Sequence, residues 1–286
     1  METFADIQQQ YQETLSSLYD EGEIKALFLM ALEHVSGMRR SQFLADRNKA
    51  VSEVVRAGIL AILERLQEGQ PIQHVLGEAH FYGMRLVVTL DTLIPRTETE
   101  ELVQRIVEDF RGRSPLSVMD IGTGSGCIAL ALAKNLPMAD VWAVDVSAKA
   151  LAIARQNAFK QKQEIRFLCA DVLEWELTFP SNCTFDIIVS NPPYITPKEK
   201  EQMRHNVLLY EPHSALFVDE ETPLLFYDHI ADYAWRYLED DGSLYFEINQ
   251  YLGAEMVELL HKKGFGQVEL LQDMHGNDRI VIAKRF

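Results

Sequence analysis

The chain has 286 residues, of which 47% are hydrophobic and 24% charged, a make-up that excludes disordered, collagenous and coiled-coil proteins. That length is typical of two domains rather than one, and it can bury a core without disulfides or a structural metal. The net charge of −16 speaks against a protein that grips nucleic acid mainly through phosphates, which would carry a basic face.

Residues 1–70 read as a small all-α domain. Apolar residues at Val51, Val54, Val55, Ile59, Ile62, Leu63 and Leu66 define one helical face, and earlier segments repeat the period. The stretch Glu68-Gly69-Gln70-Pro71 supplies a stop, with a Gly at the helix end and a Pro beyond it. No catalytic constellation falls in this region, so it reads as a docking or packing domain. Residues 71–95 read as a connector, in which strand-forming residues around Gly83 predict a β-hairpin. Thr97 and Glu100 have the spacing of a capping box that opens a helix.

From Ser117 onward strand and helix signals alternate, with apolar runs at 118–121, 141–146, 165–168, 185–189, 244–248 and 279–283. Such alternation predicts an α/β domain over residues 96–286, a parallel sheet with helices on both faces. Ligands of these sheets bind at the carboxyl ends of the strands.

The acidic excess is spread along the chain rather than gathered in a tail. Residues 1–70 carry 7 Lys/Arg and 11 Asp/Glu, and the rest carry 20 and 32. Cys127, Cys169 and Cys183 show no metal or disulfide spacing. The opening residues Met1 to Asp6 lack the basic start and apolar run of a signal peptide, and no segment is apolar enough to span a bilayer. A cytoplasmic protein without a metal site is expected.

Three features carry chemistry. The first is Asp120-Ile121-Gly122-Thr123-Gly124-Ser125-Gly126, a turn in which glycines let a ligand approach the backbone. The spacing is GxGxG, with Cys127 where dinucleotide-binding folds place their third glycine, and no Lys follows the loop as in a phosphate-binding loop. The second is a set of acids at three successive strand ends, Asp120, Asp145 and Asp171. Asp145 lies about 20 residues past the glycines, where a carboxylate can accept both hydroxyl hydrogens of a ribose, and Asp171 could accept the exocyclic amine of adenine. Glycines and acids together resemble the S-adenosyl-L-methionine pocket of Rossmann-like class I methyltransferases.

The third feature is Asn191-Pro192-Pro193-Tyr194, after the fourth strand. The prolines cannot continue a central strand, so the Pro192 carbonyl is available to a ligand. Asn191 adds a side-chain acceptor, and Tyr194 a flat aromatic surface. Two acceptors suit an amino group whose lone pair is delocalised into a carbonyl or ring: they bind its two hydrogens and orient its nitrogen.

This motif resembles that of the amino-methyltransferases. The chain as a whole resembles the release-factor glutamine methyltransferases (the PrmC/HemK family) over nearly its full length. The resemblance rests on Pro71-Ile72-Gln73-His74-Val75-Leu76-Gly77, Phe81-Tyr82-Gly83, Leu93-Ile94-Pro95-Arg96-Thr97-Glu98-Thr99-Glu100, Tyr210-Glu211-Pro212 and Asp278-Arg279, together with the features above. It implies a helical N-terminal domain, a hairpin linker and a seven-stranded catalytic domain. It further implies methyl transfer from S-adenosyl-L-methionine to the glutamine amide of the Gly-Gly-Gln motif in class 1 release factors.

By matching positions, Gly122, Thr123, Gly124, Ser125, Gly126, Asp145, Asp171, Val172 and Asn191 would serve the cofactor. Asn191, Pro192, Pro193 and Tyr194 would hold the glutamine, with Asn191, Pro192 and Tyr194 catalytic. The family enzyme is expected to be monomeric. One position departs from the family: Asn249 stands where a Gly is usual, and Asn tolerates left-handed backbone angles. Methylation of a ribosomal-protein glutamine or of adenine in nucleic acid uses the same chemistry and stays open. A non-catalytic module would be expected to have lost Asn191 or the glycines, and both are present.

Overall fold

A computed structural model describes residues 2–196, 199 and 205–286. The chain divides into two compact units, residues 1–78 with 204–210, and residues 79–203 with 211–286.

The first unit is helical, with helices Phe4–Leu15, Glu21–Ser36, Arg40–Asp46, Glu53–Gln67 and Ile72–Leu76. Local chemistry sets their ends. Thr3 and Asp6 form a capping box, Asp20 and Ser52 cap the next helices, and Gly37 closes Glu21–Ser36 in a left-handed conformation. Ile7, Tyr11, Leu15, Phe28, Leu32, Ile59 and Leu66 are fully buried together. Tyr11 and Phe28 meet edge to face at 5.4 Å, and the Tyr11 hydroxyl donates to the Ile59 carbonyl at 2.8 Å. The apolar face predicted for 51–66 holds at Ile59, Ile62, Leu63 and Leu66 but not at Val54, which is 82% exposed. Val54 lies in the first turn, where the period extends past the helix's buried stripe. The helix His205–Tyr210 belongs to this unit, and the Tyr210 hydroxyl donates to the Glu68 carbonyl.

The predicted hairpin is present as β1 (Glu78–Phe81) and β2 (Met84–Val87). Its two-residue turn, Tyr82 and Gly83, has positive φ at both positions, the geometry whose twist matches paired strands. Apolar hairpin residues Phe81, Met84 and Leu86 enter the core of the second unit. The segment 71–95 is therefore shared: its helix Ile72–Leu76 packs in the first core and its hairpin in the second.

The capping box expected at Thr97 is absent. Helix Thr97–Asp109 has Arg96 at its cap with no side-chain cap bond, and Thr97 is already helical. Glu100 instead accepts from the backbone N–H of Tyr82 at 2.7 Å, so that carboxylate braces the hairpin turn.

The second unit is built on a sheet of seven strands: β3 (Leu116–Ile121), β4 (Ala139–Asp145), β5 (Arg166–Cys169), β6 (Phe185–Ser190), β7 (Leu238–Glu247), β8 (Gln267–Gln272) and β9 (Asp278–Lys284). Their order is β5-β4-β3-β6-β7-β9-β8. β3, β4, β5, β6 and β7 are mutually parallel, as predicted, whereas β9 runs antiparallel to both β7 and β8. β8, with its alternation of exposed and half-buried residues, lacks the apolar run that marked the other six. Val118, Val141, Ala143, Ile187 and Val189 face a core with helices Thr97–Asp109 and Cys127–Asn135. Met119, Ile121, Val144 and Ile188 face the opposite one with helices Leu225–Tyr237 and Gly253–Lys262. Chain order reverses between β3 and β6, the switch point at which open α/β sheets bind ligands.

Candidate active site

A cavity of about 240 Å³ opens at that switch point. The sheet register assembles its floor. Ile121 of β3 pairs with Val144 of β4 and with Ser190 of β6, so the loops that follow these strands emerge side by side. Gly122, Gly124, Asp145, Asp171, Val172, Asn191, Pro192 and Pro193 all line the cavity, residues spread over more than 70 positions of sequence.

Gly122 and Gly124 have φ of +76° and +56°, a region that L side chains rarely adopt. Both N–H groups of the first turn are engaged: those of Gly122 and Thr123 donate to the Val144 carbonyl at 2.8 and 2.9 Å. Asn157, fully buried on helix Ala148–Gln161, holds the loop from behind. Its side chain donates to the Ser125 carbonyl and exchanges two hydrogen bonds with the backbone of Val87.

Gly126 does not line the cavity. A Cβ there would come within 3.1 Å of the Ala154 methyl, so this glycine permits close approach of two helices. Thr123 and Ser125 are buried and likewise turn away from the cavity. Thr123 donates to Asp120 Oδ2 at 2.6 Å, and the Ala129 N–H donates to the same oxygen. Asp120 is fully buried outside the cavity lining, and burial pushes its carboxyl up to about 7. It is thus a brace of the loop, whereas Asp145 and Asp171 face the ligand space.

Asp145 ends β4. Its Oδ2 accepts from the Gly124 N–H and its Oδ1 from the Ser147 N–H, both at 2.8 Å. Each bond uses one lone pair and leaves another on each oxygen for a pair of hydroxyl groups. Burial raises its carboxyl above the ordinary range, and these two bonds oppose the rise. Asp171 caps the turn Val172–Glu174 through the Leu173 N–H and still reaches the cavity. The ligand space therefore joins a glycine cradle, a carboxylate with paired free acceptors and an acid beside the apolar Val172. This donor and acceptor set fits a nucleoside such as that of S-adenosylmethionine.

Asn191 and Pro192 stand at the end of β6. Among the described residues the Pro192 carbonyl accepts no hydrogen bond. Asn191 Nδ2 donates to Thr99 Oγ1 at 3.3 Å, and the Thr99 hydroxyl donates to Glu247 Oε2 at 2.6 Å. Tyr194 does not line the cavity; its hydroxyl donates to the other oxygen of Glu247 at 3.2 Å, and burial raises its phenol. Glu247 is only 1% exposed. Burial raises its carboxyl, opposed by the Thr99 bond, the nearby charge of Arg279 and the Tyr194 bond. Asn249 has no left-handed backbone. Its side chain donates to the Tyr194 carbonyl and to Glu199 and accepts from the Tyr251 N–H, so the replacement of the usual Gly adds a brace beneath the turn at 191–194.

Sequence reasoning missed the opposite wall. Asp91, Thr92 and Leu93 line it together with Pro212, Ser214, Ala215, Phe226 and Ile230. Glu211, almost wholly buried, clamps this wall: it accepts from the Ile94 N–H at 3.1 Å and pairs with Arg96. The signal lay in the motifs containing Arg96 and Glu211, more than 110 residues apart in sequence.

Residues 97–219 match the family described as "Methyltransferase small domain", and residues 6–77 match the "PrmC N-terminal domain". In fold the chain is similar to the hMettl16 catalytic domain in complex with MAT2A 3'UTR hairpin 1, with TM-score 0.55 and 17% identity over 72% of this chain and 76% of that one. It is also similar to the Thermus thermophilus 16S rRNA N2 G1207 methyltransferase, with TM-score 0.53 and 20% identity over 73% of this chain and 50% of that one. Fold, cavity and family match define an S-adenosylmethionine-dependent methyltransferase. A relative from Flavobacterium psychrophilum is 46% identical over 275 residues, 95% of each chain, and one from Bacteroides thetaiotaomicron is 40% identical over 273 residues, 96% of this chain and 97% of that one. Both are named release factor glutamine methyltransferase, and the chain belongs to that family.

Proposed function

We propose that the protein methylates the side-chain amide nitrogen of the glutamine in the Gly-Gly-Gln motif of class 1 release factors. The observation that carries this reading is that Asn191 and Pro192 line the same cavity as Gly122, Gly124, Asp145 and Asp171. In that cavity the glycine turn and Asp145 would hold the ribose and tail of S-adenosylmethionine, and Asp171 and Val172 its adenine. The cofactor supplies a methyl group on a positively charged sulfur.

The protein's own task is orientation. Asn191 Oδ1 and the Pro192 carbonyl accept the two hydrogens of the glutamine amide and turn the nitrogen lone pair toward the cofactor end of the cavity. Holding two reactants in this way can lower a barrier by up to roughly 7–11 kcal/mol. The same acceptors stabilise positive charge as it builds on nitrogen. No strong base is required beforehand, and the proton leaves after transfer.

The helical unit serves as the substrate-docking domain in this reading. The enzyme acts as a cytoplasmic monomer and makes no direct contact with nucleic acid. Among the described residues no helix is long and apolar enough to cross a membrane. With a net charge of −16, the protein would attract the basic surface of a domain that works against ribosomal RNA, so association should slow steeply as salt rises. The reading is tested by incubating the enzyme and S-adenosylmethionine with a release factor, a ribosomal protein and DNA in parallel, followed by mass spectrometry. A methyl gain on the Gly-Gly-Gln peptide is expected. An unmodified release factor beside a methylated ribosomal protein or DNA would replace this reading with one of its alternatives.

A further inference from the structure

We propose that Thr99 and Glu247 are positioning residues that fix which end of the Asn191 amide faces the cavity. The inference rests on the reading above, in which Asn191 must present an acceptor. An Asn side chain is nearly symmetric in shape, with oxygen at one end and NH₂ at the other, so its neighbours decide its orientation. Turned the wrong way, Asn191 would set an NH₂ against the NH₂ of the substrate, donor against donor.

The neighbours leave one arrangement. In the parallel pairing of β6 and β7, Ser190 stands opposite Phe246, so the next residues, Asn191 and Glu247, leave the two strands side by side. Thr99, 2% exposed on the first turn of helix Thr97–Asp109, touches both. A hydroxyl has one hydrogen, and a carboxylate can only accept. The 2.6 Å contact with Glu247 Oε2 takes that hydrogen. Toward Asn191, Thr99 Oγ1 is therefore an acceptor, and Nδ2 at 3.3 Å is the end that satisfies it. Oδ1 is left for the cavity. Glu247 is in turn held by the Tyr194 hydroxyl on Oε1; burial raises its carboxyl, and the Thr99 bond, the charge of Arg279 and the Tyr194 bond oppose that rise. Every hydrogen in the chain from Asn191 and from Tyr194 points toward Glu247.

The test is steady-state methylation of a release factor by the full-length enzyme and its Thr99→Val, Thr99→Ala and Thr99→Ser variants. Cofactor affinity is measured by calorimetry alongside melting temperature. Valine keeps the shape and removes the hydroxyl, and alanine removes it without adding bulk should valine fail to fold. For both, kcat is expected to fall about 10- to 100-fold, the consequence of one unsatisfied buried polar contact, with cofactor affinity within about threefold. Thr99→Ser restores the hydroxyl and is expected to restore kcat to within about threefold. Wild-type kcat in Thr99→Val or Thr99→Ala would overturn the relay alone. So would a Ser variant as impaired as the Val variant, with cofactor affinity lost in both. No transfer by the wild-type enzyme would overturn the functional reading and the relay with it.

Discussion

In the helical unit, His74 is the one polar side chain buried among the described residues, and the rest of the core is Ile, Leu, Phe, Ala, Val and Tyr. The sheet unit buries Asp120, Glu211, Glu247 and Asp273 along with Thr92, Thr99, Asn157 and Asn249. Burying a carboxylate is costly unless it is bonded on most sides. Three of the four are bonded on both oxygens or by several donors: Glu211 by Ile94 and Arg96, Glu247 by Thr99 and Tyr194, and Asp273 by Arg279 and backbone N–H groups. Asp120 is bonded on Oδ2 alone, by Thr123 and Ala129, and its buried Oδ1 has no hydrogen-bond partner among the described residues. The helical unit spends its interior on cohesion, and the sheet unit spends part of its interior on holding loops in place.

If that contrast is right, damage to the two interiors should read out differently. The largest effect is expected in the helical core. Phe28→Ala should lower unfolding free energy by about 3–5 kcal/mol while leaving cofactor affinity in the surviving native protein unchanged. Denaturant titration followed by calorimetry checks both, and a matched loss of cofactor affinity would erase the distinction. Asn191→Ala should do the reverse. Methyl transfer should drop by about 10²–10³-fold, with cofactor binding still measurable and the denaturation midpoint little moved. Retained methylation would remove Asn191 from its assigned role.

Asp145→Ala removes an acceptor of two backbone N–H groups as well as the proposed ribose contact. The cofactor dissociation constant should rise by about 10- to 100-fold, seen in a binding isotherm. The contrast also sharpens through pH. The folded-state pKa of Asp120 is about 7 against an ordinary 3.8, because burial disfavours its charge. Between those values the folded protein holds a proton that the unfolded chain has lost. Stability from this group is thus full below pH 4 and declines as pH rises to 7 (slope up to about 1.4 kcal/mol per pH unit), and Asp120→Asn should lack that decline. Parallel stability profiles for the two proteins would refute the assignment.

The glycine turn, the acids at the strand ends and the 191–194 motif were legible because each is a short local string whose residue types have few other uses. The central parallel strands β3, β4, β6 and β7 are legible because a strand buried on both faces is an unbroken apolar run, whereas β5, at the sheet edge, shows only through the short apolar pair Phe167 and Leu168. β8 is not legible, since an edge strand with one wet face carries a weak alternating signal. The spacing of Thr97 and Glu100 suggests a capping box but says nothing about Tyr82, whose N–H donates to the Glu100 carboxylate. The motif position points Tyr194 at the ligand, but the side chain that settles its direction, Glu247, is 53 residues away. Roles that pass from one side chain to another across the sheet have no local signature.

Asn157 carries a practical lesson about where the catalytic body begins. It satisfies both backbone groups of Val87 as well as the Ser125 carbonyl of the glycine turn. A truncation that started the chain at residue 96 would strip away β1 and β2, empty the space filled by Phe81, Met84 and Leu86, and leave Asn157 facing solvent beside the turn that cradles the cofactor. A fragment that begins at Glu78 keeps the hairpin, and with it the back wall of the glycine turn. The hairpin is the first piece of the catalytic body in chain order, and it is structural footing for a loop that the sequence does not reach for another 35 residues after Val87.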